Sequence, residues 1–244
     1  MAPPVPVACV VPARMGSSRF PGKPLVPILG VPMVVRVLRR AALAGCFDRI
    51  LCATDSGEVA AVVRDAGFEA LLTPEGMRTG SDRVAWAAKR LGLELVVDRQ
   101  GDEPLADPDL LRALADGLRS DTSCWWSAAC PLDPSDLARD SVVKVAVDAD
   151  GRATDFVRNE NDCKNSRKSW FRHVGFYAYS AENLDLFARS PSSPLETSRR
   201  LEQLRCFPRV PVRIAFAARP SVAVDLPGDV AAVERLIVSE HERR

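Results

Sequence analysis

Two aspartates and a short cationic loop carry the chemistry that this sequence can offer. Asp102 closes an apolar run in the turn Gln100-Gly-Asp-Glu-Pro104, and Asp225 closes another in Val-Asp-Leu-Pro-Gly-Asp229. A hard carboxylate at a strand end suits Mg²⁺, which takes one or two protein carboxylates and fills its shell with water and phosphate. Read alone, Asp102 is equally a turn residue bonding its own backbone, and Asp225 a helix cap ahead of Pro227. The loop runs from Pro12 and Ala13 to Lys23 and holds Arg14, Arg19 and Lys23 among Gly16, Ser17, Ser18 and Gly22. Small residues let backbone N–H groups approach a ligand, and the three cations suit a multiply charged anion such as a polyphosphate.

The loop matches neither standard phosphate motif. Gly16 and Gly22 enclose five residues where a P-loop has four, and Pro24 follows Lys23 where a P-loop has Ser or Thr. Nor is there a G-x-G-x-x-G.

These residues must be positioned by something, and the periodicity supplies it. Val7–Val11, Asp48–Asp55, Phe68–Leu72, Leu95–Asp98 and Ser123–Cys130 read as strands. Helical patterns lie between them, at 32–45, 58–66, 81–90 with Ser81 as a cap, and from Asp107 or Pro108. Alternation of this kind predicts a parallel sheet with crossover helices, an α/β fold with a Rossmann-like sheet. After about Asp140 the pattern changes. Asp148-Ala-Asp-Gly151 reads as a hairpin turn, 159–169 as an aperiodic loop and Phe171–Tyr179 as a strand. The segment 195–206 reads as a helix, Val212–Phe216 and Val222–Val224 as strands, and 227–238 as a last helix. The expectation is a single domain over 1–244, with a nucleotide half to about 140 and a smaller β-rich lobe inserted late, at about 141–220.

With 33 basic and 32 acidic residues the formal net charge is +1, which speaks against nucleic acid as a partner. Seven scattered cysteines without C-x-x-C read as reduced thiols. No apolar run approaches membrane-spanning length, and no signal peptide is recognisable, so a cytoplasmic protein is expected.

The stretch Val-Val-Pro-Ala-Arg-Met-Gly-Ser-Ser-Arg-Phe-Pro-Gly-Lys-Pro-Leu25 resembles the signature of the CMP-Kdo synthetases, the 3-deoxy-manno-octulosonate cytidylyltransferases. The resemblance extends along most of the chain. It implies that the first loop wraps the triphosphate of CTP, with Arg14 and Lys23 on the outer phosphates, and that Asp102 and Asp225 share Mg²⁺. Thr79-Gly80-Ser81-Asp82-Arg83 resembles the family's segment against the pyrimidine base, and Gln100 belongs to the same site. Arg172-His-Val-Gly-Phe-Tyr-Ala-Tyr179 and Leu201-Glu-Gln-Leu-Arg205 resemble the acceptor segments, which nominates His173, Tyr177, Glu202 and Gln203, with Gln100 and Arg158, as contacts of the acid. A homodimer is also implied.

One stretch departs. The family's proline-rich segment is replaced by Asn159–Lys168, in which Lys164, Arg167 and Lys168 are added. The departure predicts an acceptor smaller and more highly charged than Kdo, a compact acid bearing a phosphonate or a second carboxylate, with a 3-deoxy-ulosonic acid such as Kdo as the alternative. The expected reaction is in-line attack of an acceptor oxygen on the α-phosphorus of CTP, with pyrophosphate leaving. A non-catalytic nucleotide-binding protein on the same fold is the other class.

Overall fold

The structure, a computed structural model, describes residues 5–16, 19–164, 166–219 and 222–241. The apolar runs read from the sequence become a central sheet. Its first half alternates strand and helix: β1 (Val7–Ala13), α1 (Met33–Ala42), β4 (Arg49–Thr54), α2 (Gly57–Asp65), β5 (Glu69–Leu72), α3 (Gly80–Leu91), β6 (Leu95–Asp98), α4 (Pro108–Ser120) and β7 (Trp125–Cys130). A two-residue pair, β2 (Pro27–Ile28) and β3 (Val31–Pro32), follows the cationic loop. The second half adds α5 (Pro134–Leu137), β8 (Lys144–Val147), β9 (Ala153–Val157), α6 (Glu160–Lys164), β10 (Ser169–Ser180), α7 (Ala181–Arg189), α8 (Pro194–Arg199), β11 (Val212–Phe216) and α9 (Asp229–His241).

The strand order is β11-β7-β10-β6-β1-β4-β5. All neighbours are parallel except those of β10, which runs antiparallel between β7 and β6. β1 has β4 on one side and β6 on the other, so the chain reverses its direction of growth at β1. Ligands in open α/β sheets bind beyond the carboxyl ends of strands at such a reversal. The loops after β1 and β6 meet there.

Both sheet faces are covered, which explains why every residue of β1 is buried. One core lies under α1, α2 and α4, the other under α3 and α7 with Trp125, Phe156 and Phe187. The β-rich lobe hangs on the same sheet. The β8–β9 hairpin pairs with the first residues of β10, Ser169–Arg172, and β10 then continues into the body between β6 and β7. Lys144 fastens the lobe from within, donating from its buried ammonium to the carbonyls of Arg139 (2.9 Å) and Arg158 (2.7 Å).

Four local expectations change. Thr79, not Ser81, caps α3: its hydroxyl accepts from the Asp82 N–H while Asp82 accepts from the Thr79 N–H, a capping box that leaves Ser81 inside the first turn. The helix expected over 195–206 breaks after α8, where Arg200 adopts φ 54°, and resumes as a 3₁₀ turn at Glu202–Arg205. The segment 159–169 is not an irregular loop throughout, because α6 forms inside it. Val222–Val224 forms no strand, although the Val224 N–H donates to the Asp102 carbonyl at 2.8 Å. Among the described residues no disulfide joins the cysteines, and no helix is long and apolar enough to cross a membrane.

Candidate active site

The cationic loop is shaped by its own backbone before any ligand is considered. Gly22, at φ 72°, donates its N–H to the Met15 carbonyl (3.1 Å) and so closes the loop on itself. A side chain at that φ would be strained. The chain then enters a 3₁₀ turn at Lys23–Leu25, which turns Lys23 back over the end of the sheet. Across from it, Gly101 lies so close to β1 that a Cβ would stand 2.7 Å from the Pro12 carbonyl oxygen. Only glycine lets the turn after β6 approach β1 this closely.

Between these two turns lies a cleft of about 200 Å³. It is lined by Pro12, Ala13, Arg14, Arg19 and Lys23 from the loop, by Thr79, Gly80 and Arg83 from the start of α3, and by Gln100, Asp102 and Asp225. Residues nominated from separate motifs thus share one cavity. Gly16 is not among its lining residues, and Ser17 falls outside the described residues.

The two aspartates converge on one atom. Lys23 Nζ is 2.9 Å from Asp102 Oδ2 and 3.7 Å from Asp225 Oδ1, and Arg19 Nη2 donates to Asp225 Oδ1 at 3.0 Å. Asp225 is held in place by Asp229, whose Oδ2 accepts from the N–H groups of Asp225 (2.9 Å) and Leu226 (2.8 Å). Asp225 is therefore not a helix cap; α9 begins later, at Asp229. Two carboxylates that reach one cationic atom also fit Mg²⁺, which completes its shell with phosphate and water. Among the described residues no cluster of three or more His, Cys, Asp or Glu forms a self-sufficient metal cage.

Not every nominated side chain faces this cleft freely. The Arg83 guanidinium is bound to Asp55 Oδ2 (2.6 Å) and the Thr73 hydroxyl. Ser81 is buried, with its hydroxyl between Asp98 and Glu202. Gln203 is also buried, and its Nε2 has no hydrogen-bond partner among the described residues. Arg158 donates to the carbonyls of Asp140 (3.0 Å), Ser141 (3.3 Å) and Arg200 (3.5 Å), and lines another opening of about 580 Å³ with Asp140, Asn159, Asp162 and Arg200.

Of the residues expected to meet the acid, His173 and Tyr177 lie on β10, which sets Tyr177 opposite Asp98 of β6. Ser127 of β7 fixes the tautomer of His173. Its hydroxyl donates to the Phe176 carbonyl (2.9 Å), so the 2.9 Å contact with His173 Nε2 must be an N–H donated to Ser127. His173 Nδ1 is then the acceptor. Burial, helped by the positive charge of Arg158, lowers the His173 pKa to about 3 from 6.5. The unfolded chain therefore takes up this proton first as pH falls, so stability is full above pH 6.5 and drains away below it. Wild type should lose up to about 2 kcal/mol more than His173→Gln between pH 6.5 and 5. Urea midpoints at the two pH values check this, and equal losses would mean that His173 titrates freely.

The charged segment 159–169 differs from expectation. Lys164 pairs with Glu160 (2.7 Å) along α6, and Lys168 with Asp155 (3.1 Å), which also holds Arg199 (2.6 Å). Two of the three added cations are thus neutralised by neighbouring acids and do not form a free anion cage.

Asp98, Ser127, Asp229 and Arg205 were not singled out from the sequence. Asp98 carried a faint signal, a charge at the end of an otherwise apolar strand. Ser127 carried none.

The chain is similar to known cytidylyltransferases over almost its whole length. The family model described as cytidylyltransferase matches residues 8–210. A 3-deoxy-manno-octulosonate cytidylyltransferase of Syntrophobacter fumaroxidans is 41% identical over 243 residues, covering 95% of this chain and 96% of that protein. Another from Syntrophotalea carbinolica is 39% identical, covering 93% and 97%. The solved structure of a CMP:2-keto-3-deoxy-manno-octonic acid synthetase complexed with CTP superposes with a TM-score of 0.89 at 30% identity, covering 96% of this chain and 99% of that one.

Proposed function

The chain belongs to the cytidylyltransferase family, and from that premise we propose that it transfers CMP from CTP to a 3-deoxy-ulosonic acid, Kdo or a close analogue, releasing pyrophosphate. The observation that carries this reading is the convergence of Asp102, Asp225 and Lys23 beyond the ends of β1 and β6. A site for binding alone has no need of two carboxylates facing a polyphosphate.

In this reading Arg14, Arg19 and Lys23 neutralise the phosphates of CTP, and Lys23 exchanges its carboxylate partners for phosphate oxygens. Asp102 and Asp225 would hold Mg²⁺, which when bound stabilises charge on the reacting phosphate. The start of α3, with Thr79 and Gly80, flanks the nucleotide. Gln100 lies between the two halves. His173, with Nδ1 as acceptor, and Glu202 orient hydroxyls of the acid. Positioning and charge neutralisation do the work, with no protein nucleophile.

Kdo is favoured over a phosphonate by the paired state of Lys164 and Lys168 and by the names of the relatives. Pyrophosphate release from CTP and Mg²⁺ should be fast with Kdo and at least about tenfold slower with phosphonoformate. The variant Lys164→Ala/Arg167→Ala/Lys168→Ala should keep kcat/KM for Kdo within about threefold. Preference for the phosphonate, abolished by the triple change, would overturn this choice of acceptor.

A further inference from the structure

We propose that Asp98, Ser81 and Glu202 form a hydrogen-bonded chain holding one shared proton, through which Asp98 acts as a positioning residue for Glu202 and Gln100. The inference rests on the acceptor-facing role given above to those two residues.

The argument is a proton count. Ser81 Oγ lies 2.8 Å from Asp98 Oδ2 and 3.1 Å from Glu202 Oε1. A serine hydroxyl has one hydrogen and can donate to only one of them. With both carboxylates ionised, the second oxygen would face the lone pairs of Ser81 in a site where Asp98 is fully buried. One added proton turns that contact into a hydrogen bond: one carboxyl donates to Ser81, and Ser81 donates to the other.

The surroundings favour keeping this proton. Tyr177 and Tyr179 approach from β10, Tyr179 reaching Ser81 itself, and Cys9 approaches from β1. None of them is a cation. Arg205 acts on Glu202 and not on Asp98, and the Arg99 charge acts on Cys9. Burial, then the Glu202 charge, pushes Asp98 well above the usual carboxylate range, while the Ser81 hydrogen bond opposes this. Glu202 is raised by burial, against hydrogen bonds from Thr79 and Ser81.

The chain spans the site. Asp98 Oδ1 accepts from Gln100 Nε2 at 3.3 Å, so one carboxyl group touches the turn that carries Asp102 and, through Ser81, the 3₁₀ turn that carries Glu202. Asp98 from β6, Ser81 from α3 and Glu202 from the late segment thus meet at one point.

The test pairs Asp98→Asn with Asp98→Ala. Asn supplies a neutral donor and acceptor of the same shape, so it replaces a protonated Asp and not an ionised one. Asp98→Asn should keep the KM for Kdo within about threefold of wild type, whereas Asp98→Ala should raise it about tenfold. In wild type the KM for Kdo should rise at alkaline pH as the shared proton is lost, and in Asp98→Asn it should stay flat. The infrared carbonyl band of a protonated carboxylic acid should be present in wild type at neutral pH and absent from Asp98→Asn. Absence of that band from wild type, or a KM for Kdo damaged equally by Asn and Ala, would overturn the proposal. If no acid is turned over at all, the acceptor reading fails and the positioning role with it, while the infrared band still decides the shared proton.

Discussion

Replacing Asp102 or Asp225 by Asn lowers kcat for CMP transfer about 10²–10³-fold and leaves the unfolding midpoint nearly unchanged. The two consequences separate because the fold does not use these side chains. Asp102 is joined to the late segment by its backbone carbonyl, which accepts from the Val224 N–H, and Asp225 is held by its own N–H on Asp229. Their carboxylates are partly exposed, at 30% and 41% of the side chain, and among the described residues they form ion pairs with Lys23 and Arg19 alone. Asn keeps the volume and removes the charge. With Mg²⁺ held as proposed, the loss should shrink but not vanish as Mg²⁺ is raised, because a weakened ligand set would bind the metal less well. Turnover within threefold of wild type at ordinary Mg²⁺, in either variant, would remove that residue from the chemistry.

Arg205→Ala has the largest expected effect on stability, a loss of about 3–5 kcal/mol. Its side chain is 1% exposed and binds Asp82 Oδ1 at 2.7 Å and Glu196 Oε1 at 2.9 Å, with the Phe187 ring 4.0 Å beneath. Asp82 and Glu196 each belong to a capping box, at the starts of α3 and α8. One guanidinium therefore fastens two helix N-termini, and the first of them carries Thr79 and Gly80. Removing it leaves the mostly buried Glu196 carboxylate without its cation and Asp82 with only the more distant, exposed Arg78 at 3.7 Å. Urea unfolding at pH 7 measures the change, and a loss under 1 kcal/mol would show that water replaces the guanidinium at little cost. Arg205→Lys should recover only part of the loss, because a compact ammonium lacks the planar set of nitrogens that meets Asp82 and both oxygens of Glu196 at once.

The parts of the site that were legible in the sequence are those whose chemistry is local. The cationic loop announces itself by its small residues and cations, and Asp102 by its place at the end of an apolar run. Both depend on fewer than about twenty consecutive residues. What was not legible depends on partners brought by the sheet. Asp98 is one charge after three apolar residues until β10 places Tyr177 opposite it and α3 turns Ser81 inward. Ser127 gains meaning only from the register of β7 against β10. The cations of 159–169 misled for the same reason: composition shows their charge but not that Asp155, on another strand, already answers it. The helix expected over 195–206 has adequate propensity, and its break at Arg200 puts Glu202 beside Ser81, where a continuous helix would not have been held to place it.

The backbone bond from Val224 to Asp102 has a consequence for the order in which the molecule becomes an enzyme. On the ribosome, β1, β6 and the cationic loop emerge early and can pair as soon as α4 covers them. The second carboxylate arrives only with the last tenth of the chain. Until then the nascent protein holds the strands of the sheet and the cationic loop but lacks Asp225, one of the two carboxylates proposed for the transfer. A chain ending before Val222 should therefore still bind nucleotide weakly while remaining catalytically silent.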